Sequence, residues 1–141
     1  MKRIITLLLS ILLLAACSET TNNNYTFTGE SEHWEAEYVY EGIEKWGEKD
    51  GQRTYSNNDS YKFVLTYKGS LEELSSIKKL EYSFETRSGS SDSTMEFTEP
   101  PSTVMFSSSG GSTGAKVSEN EIIKVNVKWD DFEETFELQT K

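Results

Sequence analysis

Few side chains in this chain could do chemistry, and their scarcity excludes whole classes. Cys17 is the only thiol. An intrachain disulfide and any Cys-x-x-Cys metal or redox centre are therefore ruled out. His33 is the only imidazole, so a multi-histidine zinc site is ruled out as well. It lies between Glu32 and Trp34, on the outward parity of an alternating run, and reads as an exposed strand residue. No nucleophile motif surrounds a serine, and a serine triad needs a histidine as its base. No catalytic residue is assigned on these grounds. Acidic pairs occur at Glu30/Glu32, Glu35/Glu37 and Asp130/Asp131. Two carboxylates held across a cleft would suit glycoside hydrolysis, but in a chain with 24 acidic residues a solvated acidic face is the expectation. Asp130, Asp131 and Glu133 offer oxygens of the kind calcium takes, yet no D-x-[DN]-x-[DN]-G loop is present. No metal and no cofactor is expected. Ser107 to Gly114 is rich in Gly and Ser but lacks the G-x-x-x-x-G-K-[ST] pattern of a phosphate loop, and reads as a flexible loop. Residues 41–60 are the longest break in strand alternation and read as a loop carrying Trp46 and Tyr55. These two are the candidate partner-binding residues, since exposed aromatics on a loop can stack on a sugar ring or anchor a protein. The competing reading folds Ile43 and Trp46 back over one end of the core.

The residues ahead of Cys17 give that thiol a context. Lys2 and Arg3 form a short positive region. Ile4 to Ala16 is apolar apart from Thr6 and Ser10. Such a stretch is too short to span a bilayer, which takes ~20 residues, and matches a secretory signal. It closes on Leu14-Ala15-Ala16-Cys17, which resembles the lipobox of bacterial lipoproteins at all four positions. The resemblance implies cleavage between Ala16 and Cys17 and a diacylglycerol thioether on Cys17. Two acyl chains give stable anchoring at roughly 0.8 kcal/mol per buried CH₂. The expected location is the extracytoplasmic face of the cell membrane, held by lipid. Residues 17–24 follow as the lipidated Cys and a flexible polar tether. Seven such residues reach at most about 25 Å, and the acidic body is expected to stand off anionic head groups.

The chain has 141 residues and a net charge of −10. Loss of Lys2 and Arg3 with a leader of residues 1–16 brings the rest to −12. With no excess of Lys and Arg to displace counterions, nucleic-acid binding is not expected. All 17 aromatics lie beyond the leader, and their density excludes a simply disordered chain. From Tyr25 onward the dominant period is two, the mark of strands. The clearest runs are Trp34–Tyr40, Tyr61–Tyr67, Leu80–Phe84 and Ile123–Trp129. Only Ser70 to Ile77, with Leu71, Leu74 and Ile77 three apart, suggests one helical turn. One-sided alternation argues for an all-β antiparallel fold. The expected form over residues 25–141 is a single domain, an immunoglobulin-like sandwich of about seven to eight strands, with a small β-barrel as the alternative.

The last two runs specify a hairpin. A two-residue turn at Asp130-Asp131 sets Lys128 against Glu133, Lys124 against Glu137, Val125 against Phe136 and Trp129 against Phe132. Val127 against Glu134 is its one bad pair. A four-residue loop, with Val127 against Phe136, is the rival register. The domain also resembles small lipoproteins of Gram-positive bacteria that carry one short β domain. The carriers are Phe27-Thr28-Gly29 near Trp34, Leu65-Thr66-Tyr67-Lys68-Gly69, Val127-Lys128-Trp129 and Phe136-Glu137-Leu138. That likeness implies no activity. The functional expectation is a monomeric, non-enzymatic binding or accessory module with a protein or cell-wall partner. The alternatives are a small envelope hydrolase with paired carboxylates and an acidic structural spacer.

Overall fold

The computed structural model describes residues 18–112 and 116–141. The expected signal peptide, cleavage site and lipidated Cys17 lie outside the described residues. Among the described residues, eight strands and one helical turn make the fold: β1 (Glu19–Glu30), β2 (Trp34–Lys49), β3 (Gln52–Tyr67), α1 (Leu71–Leu74), β4 (Lys79–Thr86), β5 (Gly89–Glu96), β6 (Met105–Ser112), β7 (Ile123–Trp129) and β8 (Phe132–Thr140). All ladders are antiparallel, in the order β5-β4-β7-β8-β1-β2-β3-β6. The two halves of this sheet meet narrowly, through Phe27↔Thr140 and Thr28↔Gln139 alone. A Cβ on Gly29 would lie 2.0 Å from the Glu137 carbonyl oxygen, so glycine is what lets β1 reach β8. At the two ends of the order, β5 and β6 each have a neighbour on one side only.

Alternation folds this sheet onto itself. Phe63 of β3 stacks on Tyr82 and Phe84 of β4 at 5.7 and 4.8 Å between ring centroids, and Tyr38 of β2 meets Phe84 edge-on at 5.3 Å. Trp34, Phe27, Leu65, Leu80, Ile123, Val127 and Leu138 complete a fully buried centre. Burying each large apolar side chain stabilises the fold by roughly 1.5–3 kcal/mol. The all-β antiparallel expectation holds. Two inner faces oppose each other as in a sandwich, while β1 and β8 join them along one side as in a barrel.

Three local expectations are corrected. The tether is not flexible over its length: Glu19 to Asn24 belong to β1 and pair with Trp46 to Glu41 of β2. Only Ser18 separates this strand from Cys17, so the β domain begins before Tyr25. Residues 41–60 are not a loop either. Strands β2 and β3 run on through them and turn at Asp50-Gly51, whose φ of 54° and 79° are the paired positive angles of a type I′ turn. Together these segments form a three-stranded arm projecting past the core. Its residues are polar because solvent wets both faces, which erases the apolar signal without erasing the strand. Finally, Ser107 to Gly111 are ordered as β6, hydrogen-bonded along β3 from Val64 to Ser60.

The terminal hairpin takes the two-residue register, with Asp130 at φ 52°. Asp130 Oδ1 accepts from the Lys78 and Lys79 amides at 3.0 and 3.1 Å, tying this turn to the start of β4. The expected helical turn is α1, capped by Ser70, whose hydroxyl accepts from the Glu73 amide at 3.2 Å.

Candidate functional site

Where β5 and β6 fail to meet, a cleft of about 230 Å³ opens. Tyr38, Tyr40, Asp59, Tyr61 and Phe84 floor it, while Ser90, Ser91, Gly110 and Gly111 form its rims. Tyr61 lies flat on Tyr38 at 5.3 Å and edge-on to Phe84 at 5.3 Å. Asp59 is 8 % exposed, one of two buried carboxylates among the described residues. The Tyr40 hydroxyl donates to its Oδ1, and Asn57 donates to its Oδ2 at 3.0 Å. Burial first, and then the Asp59 carboxylate, push the Tyr40 hydroxyl well above the ordinary phenol value. Burial does the same for Tyr38. Both phenols therefore stay protonated as donors. Side chains are excluded from the β6 rim by contact. A Cβ on Gly110 would meet the Tyr61 ring at 2.9 Å, and one on Gly111 the Asp59 carbonyl at 2.9 Å. Backbone groups with no strand beside them thus border an aromatic floor.

A second polar constellation lies at the opposite end of β1 from the arm. Glu134 is the residue that spoils the apolar pattern of the hairpin. It pairs with Val127 as read from the sequence, and it faces inward. Its misfit is resolved by the β1–β2 turn. Ser31 Oγ and the His33 amide donate to Oε1 at 2.6 and 2.9 Å, and His33 Nδ1 meets Oε2 at 2.5 Å. Burial pushes the Glu134 carboxyl up, but these hydrogen bonds outweigh it and hold the group below its ordinary value of 4.5. The bond to Glu134 raises His33 above 6.5. His33 is half exposed, as the sequence implied, yet it sits in a turn rather than on a strand. Serine, histidine and carboxylate are all present here but are not wired for nucleophilic catalysis. Ser31 and His33 each bond to Glu134 and not to each other, so the imidazole is not placed to take the serine proton as it would in a triad.

Glu32, His33 and Glu134 also bring one ligand atom each within 4.8 Å of the others. Both Glu134 oxygens are already taken by protein donors. Asp130, Asp131 and Glu133 are not brought together as a ligand set: Asp130 serves β4, and Glu133 accepts from Asn126 at 2.8 Å. Glu30, Glu35 and Glu37 share an open groove of about 640 Å³ on the outer face of β1–β2–β3, and all three are exposed.

Trp46 and Tyr55 form a cross-strand pair near the tip of the arm, 4.4 Å between ring centroids. The Arg53 guanidinium covers the Trp46 ring at 4.9 Å. Trp46 is half-buried by these neighbours, whereas Tyr55 is 48 % and Ile43 40 % exposed. The residues are neither carried on a loop nor folded over the core. They stand on strands, and Trp46 is the direct partner of Glu19.

Residues 1–18 match the family model of the prokaryotic membrane lipoprotein lipid attachment site. That match supports membrane attachment through a lipid on the cysteine at its end, Cys17. No curated protein and no solved structure matches the chain. Among the described residues no helix is long and apolar enough to cross a membrane.

Proposed function

We propose that this protein is a non-enzymatic binding module held on the extracytoplasmic face of the cell membrane, and that the β5–β6 cleft is its ligand seat. The single observation behind this reading is the cleft itself: an aromatic floor with one buried carboxylate, rimmed by two unpaired strand edges. Extended polypeptide adds to such edges through main-chain hydrogen bonds, and the Tyr38, Tyr61 and Phe84 rings would take an apolar or planar group carried with it. Neither edge carries the lysines or prolines that usually keep other strands away. The likeness to small Gram-positive lipoproteins with one β domain agrees with a scaffold that presents a surface.

The hydrolase alternative draws on the outer groove. A general acid working near neutral pH needs a desolvated carboxyl. Glu30, Glu35 and Glu37 are all wet, which favours binding over catalysis.

The test is pull-down of crosslinked, lipidated protein from its native envelope, comparing wild type with Ser91→Tyr. Ser91 pairs with Phe84 and lines the cleft, so a tyrosyl ring there fills it. We expect the specific adduct to disappear with Ser91→Tyr while the melting temperature stays within a few degrees. An adduct retained at wild-type yield removes the cleft from the function.

A further inference from the structure

Trp46, Tyr55 and Arg53 occupy a position fixed by the anchor. Cys17 is two residues from Glu19, and two residues span at most about 7 Å. Glu19 faces Trp46 across an antiparallel ladder, where paired Cα atoms are about 4.5–5.5 Å apart. The Trp46 backbone is therefore within roughly 12 Å of the residue whose acyl chains enter the bilayer. With only Ser18 between anchor and strand, the arm has no slack with which to stand away.

We propose that the arm tip is a second membrane contact, in which Trp46, Tyr55 and Arg53 sit among lipid head groups beside the acylated cysteine. The inference rests on the lipid anchor and identifies the partner of the two aromatic residues as the bilayer surface. Tryptophan and tyrosine suit this zone because an apolar ring and a polar tip are both accommodated there. The guanidinium over Trp46 places a cation at phosphate level. Charge at the tip is close to balanced. Lys45, Lys49 and Arg53 offset Glu48, Asp50 and Glu19, and Glu44 is paired with Lys116 at 2.6 Å. The −12 charge of the mature chain thus lies mostly elsewhere, so its repulsion from anionic lipid turns the body outward and the tip inward. On this reading the arm tip reaches the head groups that the acidic body as a whole is expected to stand off.

The three tryptophans make the test self-controlled. Trp34 begins β2, and twelve strand residues at ~3.3 Å separate it from Trp46 by about 40 Å. Trp129 packs against Trp34 at that far end, 5.6 Å between centroids. Purified lipidated protein is reconstituted into phosphatidylcholine–phosphatidylglycerol vesicles whose acyl chains carry bromine near the head group, and tryptophan quenching is compared with unbrominated vesicles. Wild type and Trp129→Phe should be quenched, and Trp46→Phe should lose at least three quarters of that effect while still floating with the vesicles. Quenching unchanged in Trp46→Phe, or none in the vesicle-bound wild type, overturns the contact. Failure of the wild type to float would instead overturn the lipid anchor on which it depends.

Discussion

At the scale of the residue, Glu134 shows how a polar group is made tolerable on an inner face. An unpaired buried carboxylate would cost several kcal/mol, and here Ser31 and His33 satisfy it. The pair has a definite pH signature. His33 is raised above 6.5, so its contribution is full below that pH and fades as pH rises through the folded-state value. Glu134 is lowered below 4.5, so its contribution is full above that pH and fades as pH falls through the folded-state value. Together they add most between about pH 4.5 and 6.5. His33 is 45 % exposed, so solvent screening keeps the gain to about 1 kcal/mol or less. Urea denaturation of His33→Gln should show its largest deficit near pH 5.5, shrinking toward alkaline pH. A deficit independent of pH would mean that packing, not charge, is lost. Glu134 was visible in the sequence as the one residue out of parity, but its partners are about a hundred positions away and no local pattern names them.

At the scale of the element, what could be read depended on whether a strand has a dry face. The runs Trp34–Tyr40 and Ile123–Trp129 each bury one row, and alternation exposed them and the terminal hairpin; it left two registers of equal parity, between which the structure chooses the two-residue turn. Glu19–Asn24 and 41–58 lie in the arm, wet on both sides, and polarity there passed for irregular chain. The signal that could have found the arm was Asp50-Gly51, a strong two-residue turn former. Ser107 to Gly111 hid for another reason: β6 is strand because β3 offers it a ladder, and its small residues are required by contacts with Tyr61 and Asp59. The narrow β1–β8 join is the element most exposed to mutation. Gly29→Ala places a methyl against the Glu137 carbonyl and should lower stability by about 1–3 kcal/mol, seen as a fall in urea midpoint. Hydrogen exchange should quicken in β1 and β8 ahead of β4 and β5.

At the scale of the whole molecule, the lipid-attachment match at residues 1–18 bears on location and β1, starting at Glu19, bears on reach. Cys17→Ala should release the protein from the membrane fraction with its fold intact, since the first strand begins at Glu19. Fractionation and near-ultraviolet circular dichroism check the two halves of that statement. The cleft was not legible beforehand, because it is a gap between strands 89–96 and 105–112 that exists only once the sheet has bent. Its distance from the anchor is set by β1. Tyr25, the partner of Tyr40 at the cleft, lies six residues beyond Glu19 and so about 20 Å along the strand. With the two residues from Cys17, the ceiling is roughly 30 Å. Like a flag stitched directly to its pole, the cleft has a bounded altitude over the leaflet: a ligand for the proposed seat would have to come down to it, as a short juxtamembrane ectodomain or a freely diffusing molecule can, whereas rigid structures farther out would stay beyond reach.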